Sequence, residues 1–276
     1  YKRQVAAFEA LPLRDEPPKP RVGVLGEILV QFHPDANNHI VEVIESEGCE
    51  AVLPGLMWFV HNALTSGDYN WKTFGTEKWK RFLKKGFLAV LQQYQKPVDA
   101  ALGTSQRFEV PTHISRIVEE AQQIVQLGNQ SGEGWYLVGE MIDMIEEGVP
   151  NICVVQPFAC LPNHVTGRGI FREIRRQYPH ANVASIDYDP GASQVNQLNR
   201  IKLMAATARD RHEELTNVEQ GAPIRGEHVA GGGSATNGPG AASGTPGGDQ
   251  DGSEHAGMAG AVDLKDARGA VSLGVM

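Results

Sequence analysis

The sequence predicts an α/β fold: a three-layer, Rossmann-like domain around a mainly parallel sheet, with a helical insertion and a disordered C-terminal tail. Short apolar runs at 22–25, 152–155 and 182–186 have the length of strands buried on both faces. They alternate with stretches of helical periodicity, which is the βαβ signature of a parallel sheet. The segment 151–199, NICVVQPFACLPNHVTGRGIFREIRRQYPHANVASIDYDPGASQVNQLN, condenses both patterns into strand, loop, helix, strand and acidic loop. Ligands of such sheets sit beyond the carboxyl ends of the strands. Cys160 and Asp187 fall there.

Taken in order, residues 1–20 (YKRQVAAFEALPLRDEPPKP) read as a helix end and a Pro-rich connector from an upstream domain. An orphan helix end needs a partner for its apolar face, so the chain is expected to be the C-terminal part of a longer protein. The α/β domain spans 21–210. Its first strand, RVGVLG, carries Gly23-x-x-Gly26 but not the full G-x-G-x-x-G fingerprint, so a dinucleotide site has weak support. Asp35 or Asn37 is placed to cap a helix carrying Ile40, Val41 and Ile44 on one face. Gly48 ends that helix, and CEAVL is the next short strand, completing a β-α-β unit of about 30 residues.

Residues 56–128 form the helical insertion. Trp79, Phe82, Leu83, Phe87, Val90, Leu91 and Tyr94 recur at three- and four-residue steps, which predicts a core-facing helix. Lys80, Arg81, Lys84 and Lys85 lie mainly off that face and read as its solvated flank. A helix over 137–147 follows, with Met141, Ile142 and Ile145 inward and Gly148 at its C-cap. From 221 to 276 the chain is Gly-, Ala- and Ser-rich and cannot bury enough apolar surface to order itself.

The composition narrows the function classes. The 276 residues are 41% hydrophobic with a net charge of −8, and an acidic balance argues against nucleic acid as a partner. No apolar run approaches the roughly 20 residues of a membrane span. Three widely spaced cysteines make no disulfide framework, so a reducing, cytoplasmic setting is expected.

Cys49 and Cys153 lie in apolar strands and read as small core residues. Cys160 differs, standing on a loop framed by Pro157 and Pro162 and followed by Asn163 and His164. A thiol so placed is available for ligation or nucleophilic work. A zinc site from Cys153, Cys160 and His164, with His61, matches no common spacing. A Cys160–His164 nucleophile pair lacks an evident third group to orient it. Asp187 leaves its strand on the same edge as Cys160. Asp189, before Pro190, is placed to cap the following helix, and Arg200 is expected to face a neighbouring domain.

The segments GEILVQFHPDANNHIVEVIESEGCEAVLPG, GEGWYLVGEMIDMIEEGVPN, QPFACLPNHVTGRG and IDYDPGASQVNQLNRIKLM resemble the C-terminal portion of a known family. It comprises the activase-related proteins of 2-hydroxyacyl-CoA dehydratases, with the double-cubane iron–sulfur reductases in the same superfamily. The resemblance covers about residues 19–204 and is most specific in Q-P-F-x-C-L-P-N-H and D-Y-D-P-G-x-S. It implies that Cys160 is a thiolate ligand to a four-iron–four-sulfur cluster; Cys153, close to it in sequence, is a second candidate on that proximity alone. Gln156, Pro157, Asn163, His164, Asp187 and Asp189 would support that site. The remaining ligand cysteines, and the ATP-binding activator module, would belong to upstream domains or a separate activator subunit. A homodimer is a further expected assembly. The family's usual glycine before the cysteine is Ala159 here.

The implied function is one module of an ATP-driven, low-potential electron-transfer system that reduces a substrate such as an acyl-CoA, inactive by itself. Two alternatives stand beside it. One is a non-catalytic scaffold with an incomplete cluster site, docking a partner through the helical insertion. The other is a phosphate- or nucleotide-binding enzyme using residues 23–27.

Overall fold

The computed structural model describes residues 1–219 apart from Arg14, Glu77 and Ala192, so the tail expected at 221–276 lies outside the described residues. Four strands, β1 (Arg21–Gly26), β2 (Glu50–Val52), β3 (Asn151–Gln156) and β4 (Asn182–Asp187), form one sheet in the order β2-β1-β3-β4. Every pairing is parallel. The helices are α1 (Lys2–Glu9), α2 (Ile28–Phe32), α3 (Ile40–Ser46), α4 (Met57–Phe74), α5 (Lys78–Leu102), α6 (Ile114–Ala121), α7 (Gly134–Glu146), α8 (Phe171–Gln177) and α9 (Gln194–Glu219). None of them is long and apolar enough to cross a membrane.

The strands read as unbroken apolar runs because both faces of the sheet are covered. Val22, Val24, Cys153, Val155 and Ile186 pack with Ile40 and Ile44 of α3 and Ile201, Met204 and Ala205 of α9. Leu25, Ile152, Val154 and Val183 face α7 and α8 through Leu137, Met141, Ile142 and Ile174. Each fully buried aliphatic side chain contributes about 1.5–3 kcal/mol. The result is the expected three-layer α/β arrangement.

Local signals account for the element ends. Asn37 caps α3: its Oδ1 accepts the Ile40 N–H at 3.2 Å, and its Nδ2 donates to the Val30 carbonyl at 2.8 Å. At the end of β1, Gly26 has φ +146°, and a Cβ there would lie 1.9 Å from the Val155 carbonyl oxygen. Only glycine permits that approach. The final helix runs to Glu219, beyond the expected domain end at 210.

The insertion departs from expectation. Trp79, Phe82, Leu83, Phe87, Val90 and Tyr94 are 52–74% exposed, so this face of α5 points to solvent and not into a core. Three of the four cations expected on a solvated flank, Arg81, Lys84 and Lys85, reach α4 instead, while Lys80 is exposed. Arg81 and Lys85 pair with Asp68 at 2.6 and 2.9 Å, and Lys84 donates to Ser66 at 2.8 Å. Periodicity identifies an amphipathic helix, but the surface offered by the neighbour decides which face packs. Here α4 offers a carboxylate. Helix α1 reaches the far end of α5, where Glu9 accepts hydrogen bonds from Ser105 and Gln106 and Phe8 meets Phe108 edge-on. None of its residues is buried.

Helix α7 is buried along its length between the sheet and α6. A Cβ at Gly139 would sit 2.4 Å from the Ile117 carbonyl oxygen of α6. Gly139→Ala therefore forces the two helices apart and should cost about 2–3 kcal/mol. An unchanged denaturation midpoint would contradict the close contact.

The same interface buries acids. Arg116 donates to Glu120 at 2.6 Å and to Glu146 at 3.0 Å, and the Tyr136 hydroxyl donates to Glu140 at 3.1 Å. Burial pushes the Glu120 carboxyl up to about 7 and Glu140 up to about 8, from an ordinary 4.5. Carboxyls raised in the folded state keep protons that the unfolded chain releases, so they stabilise at low pH and lose that contribution as pH rises through the folded values. His61, held below its ordinary 6.5 by burial, has the opposite slope, but its effect is complete by that value. Stability should therefore fall between about pH 6.5 and 8, and Glu140→Gln should flatten the fall. A melting temperature rising through that window would reverse the assignment.

Candidate functional site

The order β2-β1-β3-β4 contains a switch point. The connection from β1 leads outward to β2, whereas β3 lies on the other side of β1 and continues to β4. Crevices of open α/β sheets form at such a point, beyond the carboxyl ends of the strands. Here those ends are Gly26-Glu27 and Gln156-Pro157.

Glycine usage at β1 bears on the nucleotide reading. A Cβ on Gly23 would meet the Met144 sulfur at 2.7 Å, so this glycine serves packing against α7. The start of α2 is occupied by protein carboxylates: Glu27 accepts the Val30 N–H at 2.9 Å and Glu133 accepts the Ile28 N–H at 3.1 Å. Free N–H groups facing an anion are what a phosphate needs there. Residues 23–27 do not offer them, and the phosphate-site alternative is set aside.

The loop after β3 starts with a turn closed by the Cys160 N–H and the Pro157 carbonyl, 3.3 Å apart. Ala159, the third residue of that turn, has φ +61°. A turn with positive φ at this position favours glycine, so Ala159 is held there under strain. The chain continues into a π-helical turn, Asn163–Gly167. Single π turns recur at functional sites.

Cys160 is half-buried, and its sulfur accepts a hydrogen bond from Asn163 Nδ2 at 3.1 Å. Asn163 is fully buried, and the same Nδ2 donates to Glu133 Oε2, also at 3.1 Å. Through its other oxygen Glu133 holds the start of α2, so a single buried carboxylate links α2 to the Cys160 loop. A preset N–H donor beside a sulfur tunes any metal bound to it. Nothing in the sequence marks Glu133. It looks there like an ordinary residue before a helix, because its partners lie 30 and 105 positions away.

Gln156 is fully buried and donates to Asp187 Oδ1 at 2.8 Å, bridging the ends of β3 and β4. His164 turns its ring nitrogens elsewhere than the thiol: Nδ1 lies 2.9 Å from the Cys160 carbonyl oxygen, and Nε2 lies 3.5 Å from Gln156 Nε2 and 4.0 Å from Asp187. A Cys160–His164 nucleophile pair is therefore not assembled. Pro157 frames the turn, as expected.

Cys153 is a correction to the candidate ligand set. It is 0% exposed inside β3, packed in the core near Cys49, and burial pushes its thiol up to about 12. A strand side chain on the core face cannot also reach the loop beyond the strand end.

Asp189 and Arg200 also depart from expectation. The first turn of α9 hangs on the Ser193 carbonyl, which accepts the N–H groups of Asn196 and Gln197, so Asp189 lies upstream of the helix and does not cap it. Arg200 does not face away. It donates to the Ser185 carbonyl at 2.7 Å and lines a cleft of about 630 Å³ with Phe158, Asp187, Asp189 and Asn196. The cleft adjoins the Cys160 loop and carries both charge signs.

Glu133→Gln tests the central link. An amide cannot accept from both the Ile28 N–H and Asn163, so one buried donor loses its partner. The expected cost is about 1–3 kcal/mol in chemical denaturation; wild-type stability would show that the bridge is dispensable.

No protein-family model, no characterised protein and no solved structure matches the chain.

Proposed function

We propose that this chain is a thiolate-donating module of an iron–sulfur protein, in the ATP-driven electron-transfer class that its motifs resemble. Cys160 is its ligand to a four-iron–four-sulfur cluster. The observation that carries the reading is a half-buried sulfur at the carboxyl edge of a parallel sheet, with a buried N–H donor already aimed at it. Cys49 and Cys153 are buried in the core and unsuited to the role.

Within the described residues a complete cluster site does not fit. Among the described residues no group of three or more His, Cys, Asp or Glu comes together that could hold a metal ion. What fits is one thiolate, the other ligands coming from another domain or subunit, and no electron-transfer step is assigned to these residues. Phe158, Leu161 and Val165 around the thiol are exposed, which supports a second protein surface closing over it. The acyl-CoA class of substrate rests on the resemblance.

A second reading, a non-catalytic docking scaffold, is favoured by the exposed apolar face of α5. Cysteine variants separate the two. Cys160→Ala should strip iron and sulfide from the anaerobically isolated native assembly without lowering the melting temperature, while Cys49→Ala and Cys153→Ala retain both. In the isolated chain, Cys160 should be alkylated at least about tenfold faster than the two buried thiols. Full iron content in Cys160→Ala would leave the scaffold reading in its place.

A further inference from the structure

We propose that the cavity between α3 and α9 binds a small, uncharged, mainly apolar molecule that carries one hydrogen-bond acceptor, which the Tyr188 hydroxyl engages. The inference is independent of the reading of Cys160.

The cavity follows from strand alternation. Tyr188, the residue after β4, continues the face of Ala184 and Ile186, so its ring lies in the layer that α3 and α9 cover. Beside it the two helices leave a space of about 210 Å³, walled by Val43 of α3 and by Val195, Leu198 and Ile201 of α9. At the packing density of protein interiors that space holds roughly ten non-hydrogen atoms.

Two observations point to a ligand there. Tyr188 is only 5% exposed, yet among the described residues its hydroxyl has no hydrogen-bond partner. A buried phenol ordinarily finds one. Burial also holds the hydroxyl well above its ordinary range, so it remains protonated and ready to donate. The second observation is the rim. Asn38 and His39 are consecutive residues in the left-handed region, at φ 50° and 56°. Asn38 Nδ2 donates to Gln197 Oε1 at 2.8 Å, which ties the start of α3 to α9. Such backbone persists in non-glycine residues only where the surroundings hold it, and it clusters at ligand clamps.

The lining sets the chemistry of the ligand. Among the described residues none that lines the cavity is charged, so an ion would lose its hydration without gaining a counter-charge. Gln197 is already engaged, its Nε2 donating to the Asp187 carbonyl at 2.8 Å. Apolar walls with a few placed polar groups are the usual make-up of a small-molecule site. An aryl ketone such as acetophenone, of about nine non-hydrogen atoms, meets the requirements of size, neutrality and a single acceptor.

The test titrates acetophenone into the full chain while its methyl NMR signals are followed. Shifts that saturate at roughly millimolar concentration or below should centre on Val43, Val195, Leu198 and Ile201. Ethylbenzene, which lacks the carbonyl, and benzoate, which carries a charge, are the comparison probes. Benzoate should bind at least about tenfold more weakly than acetophenone. Tyr188→Phe keeps the ring and removes only the hydroxyl. It should weaken acetophenone at least about fivefold and ethylbenzene less than about twofold. Its melting temperature should be no lower than that of wild type, because an unpartnered buried hydroxyl costs stability. Shifts that fail to saturate, or that centre elsewhere, would overturn the proposal, as would benzoate binding as tightly as acetophenone. So would equal effects of Tyr188→Phe on the two neutral probes. A clear drop in the melting temperature of Tyr188→Phe would do the same, by showing that the hydroxyl already has its partner within the chain.

Discussion

Gly26 lets β1 and β3 meet at their carboxyl ends, and the candidate site depends on that approach. Because no Cβ stands between Gly26 and the Val155 carbonyl, the next residue, Glu27, donates its N–H to that same carbonyl at 3.0 Å. The turn into α2 is thereby fixed, which aims the Ile28 N–H at Glu133. Glu133 then holds Asn163, and Asn163 meets the Cys160 sulfur. A missing methyl group on one strand thus reaches a sulfur on another loop through four hydrogen bonds. Any larger residue at 26 would disturb the sheet and the site together.

The fold was largely legible in the sequence because strands buried on both faces leave an unmistakable trace. Val22, Val24, Ile152 and Val154 lie in unbroken apolar runs, and the helices between them carry their own period. Turn chemistry was legible too, as Asn37 and Gly48 show. The orientation of α5 was not. An amphipathic helix declares two faces, but the choice between them was made by Asp68 on another helix. Cys160 and Asp187 could be placed on one edge because strand ends are visible in sequence. Glu133 and Arg200 could not, since their contacts depend on how distant segments return to that edge.

The acids of α6 and α7 follow another logic. Glu120, Glu140 and Asp143 lie where a close helix contact excludes water, and burial raises all three carboxyls. A buried carboxyl is tolerated either by pairing or by remaining protonated. Arg116 supplies pairing at the rim, and Tyr136 donates a hydrogen bond further in. The layer supporting the sheet is thus also its most pH-sensitive part.

The ion-paired seam between α4 and α5 sets the insertion apart in its response to solvent. The sheet is held by apolar burial, which weakens on cooling and strengthens in sulfate. The seam instead joins Arg81 and Lys85 to Asp68 among half-buried neighbours, and α5 buries no large apolar side chain against it. Such pairs are screened by added salt. A sulfate buffer therefore tightens the sheet while loosening the hairpin, and a cold, dilute one does the reverse. The two parts of one continuous chain have opposite preferences for the medium around them.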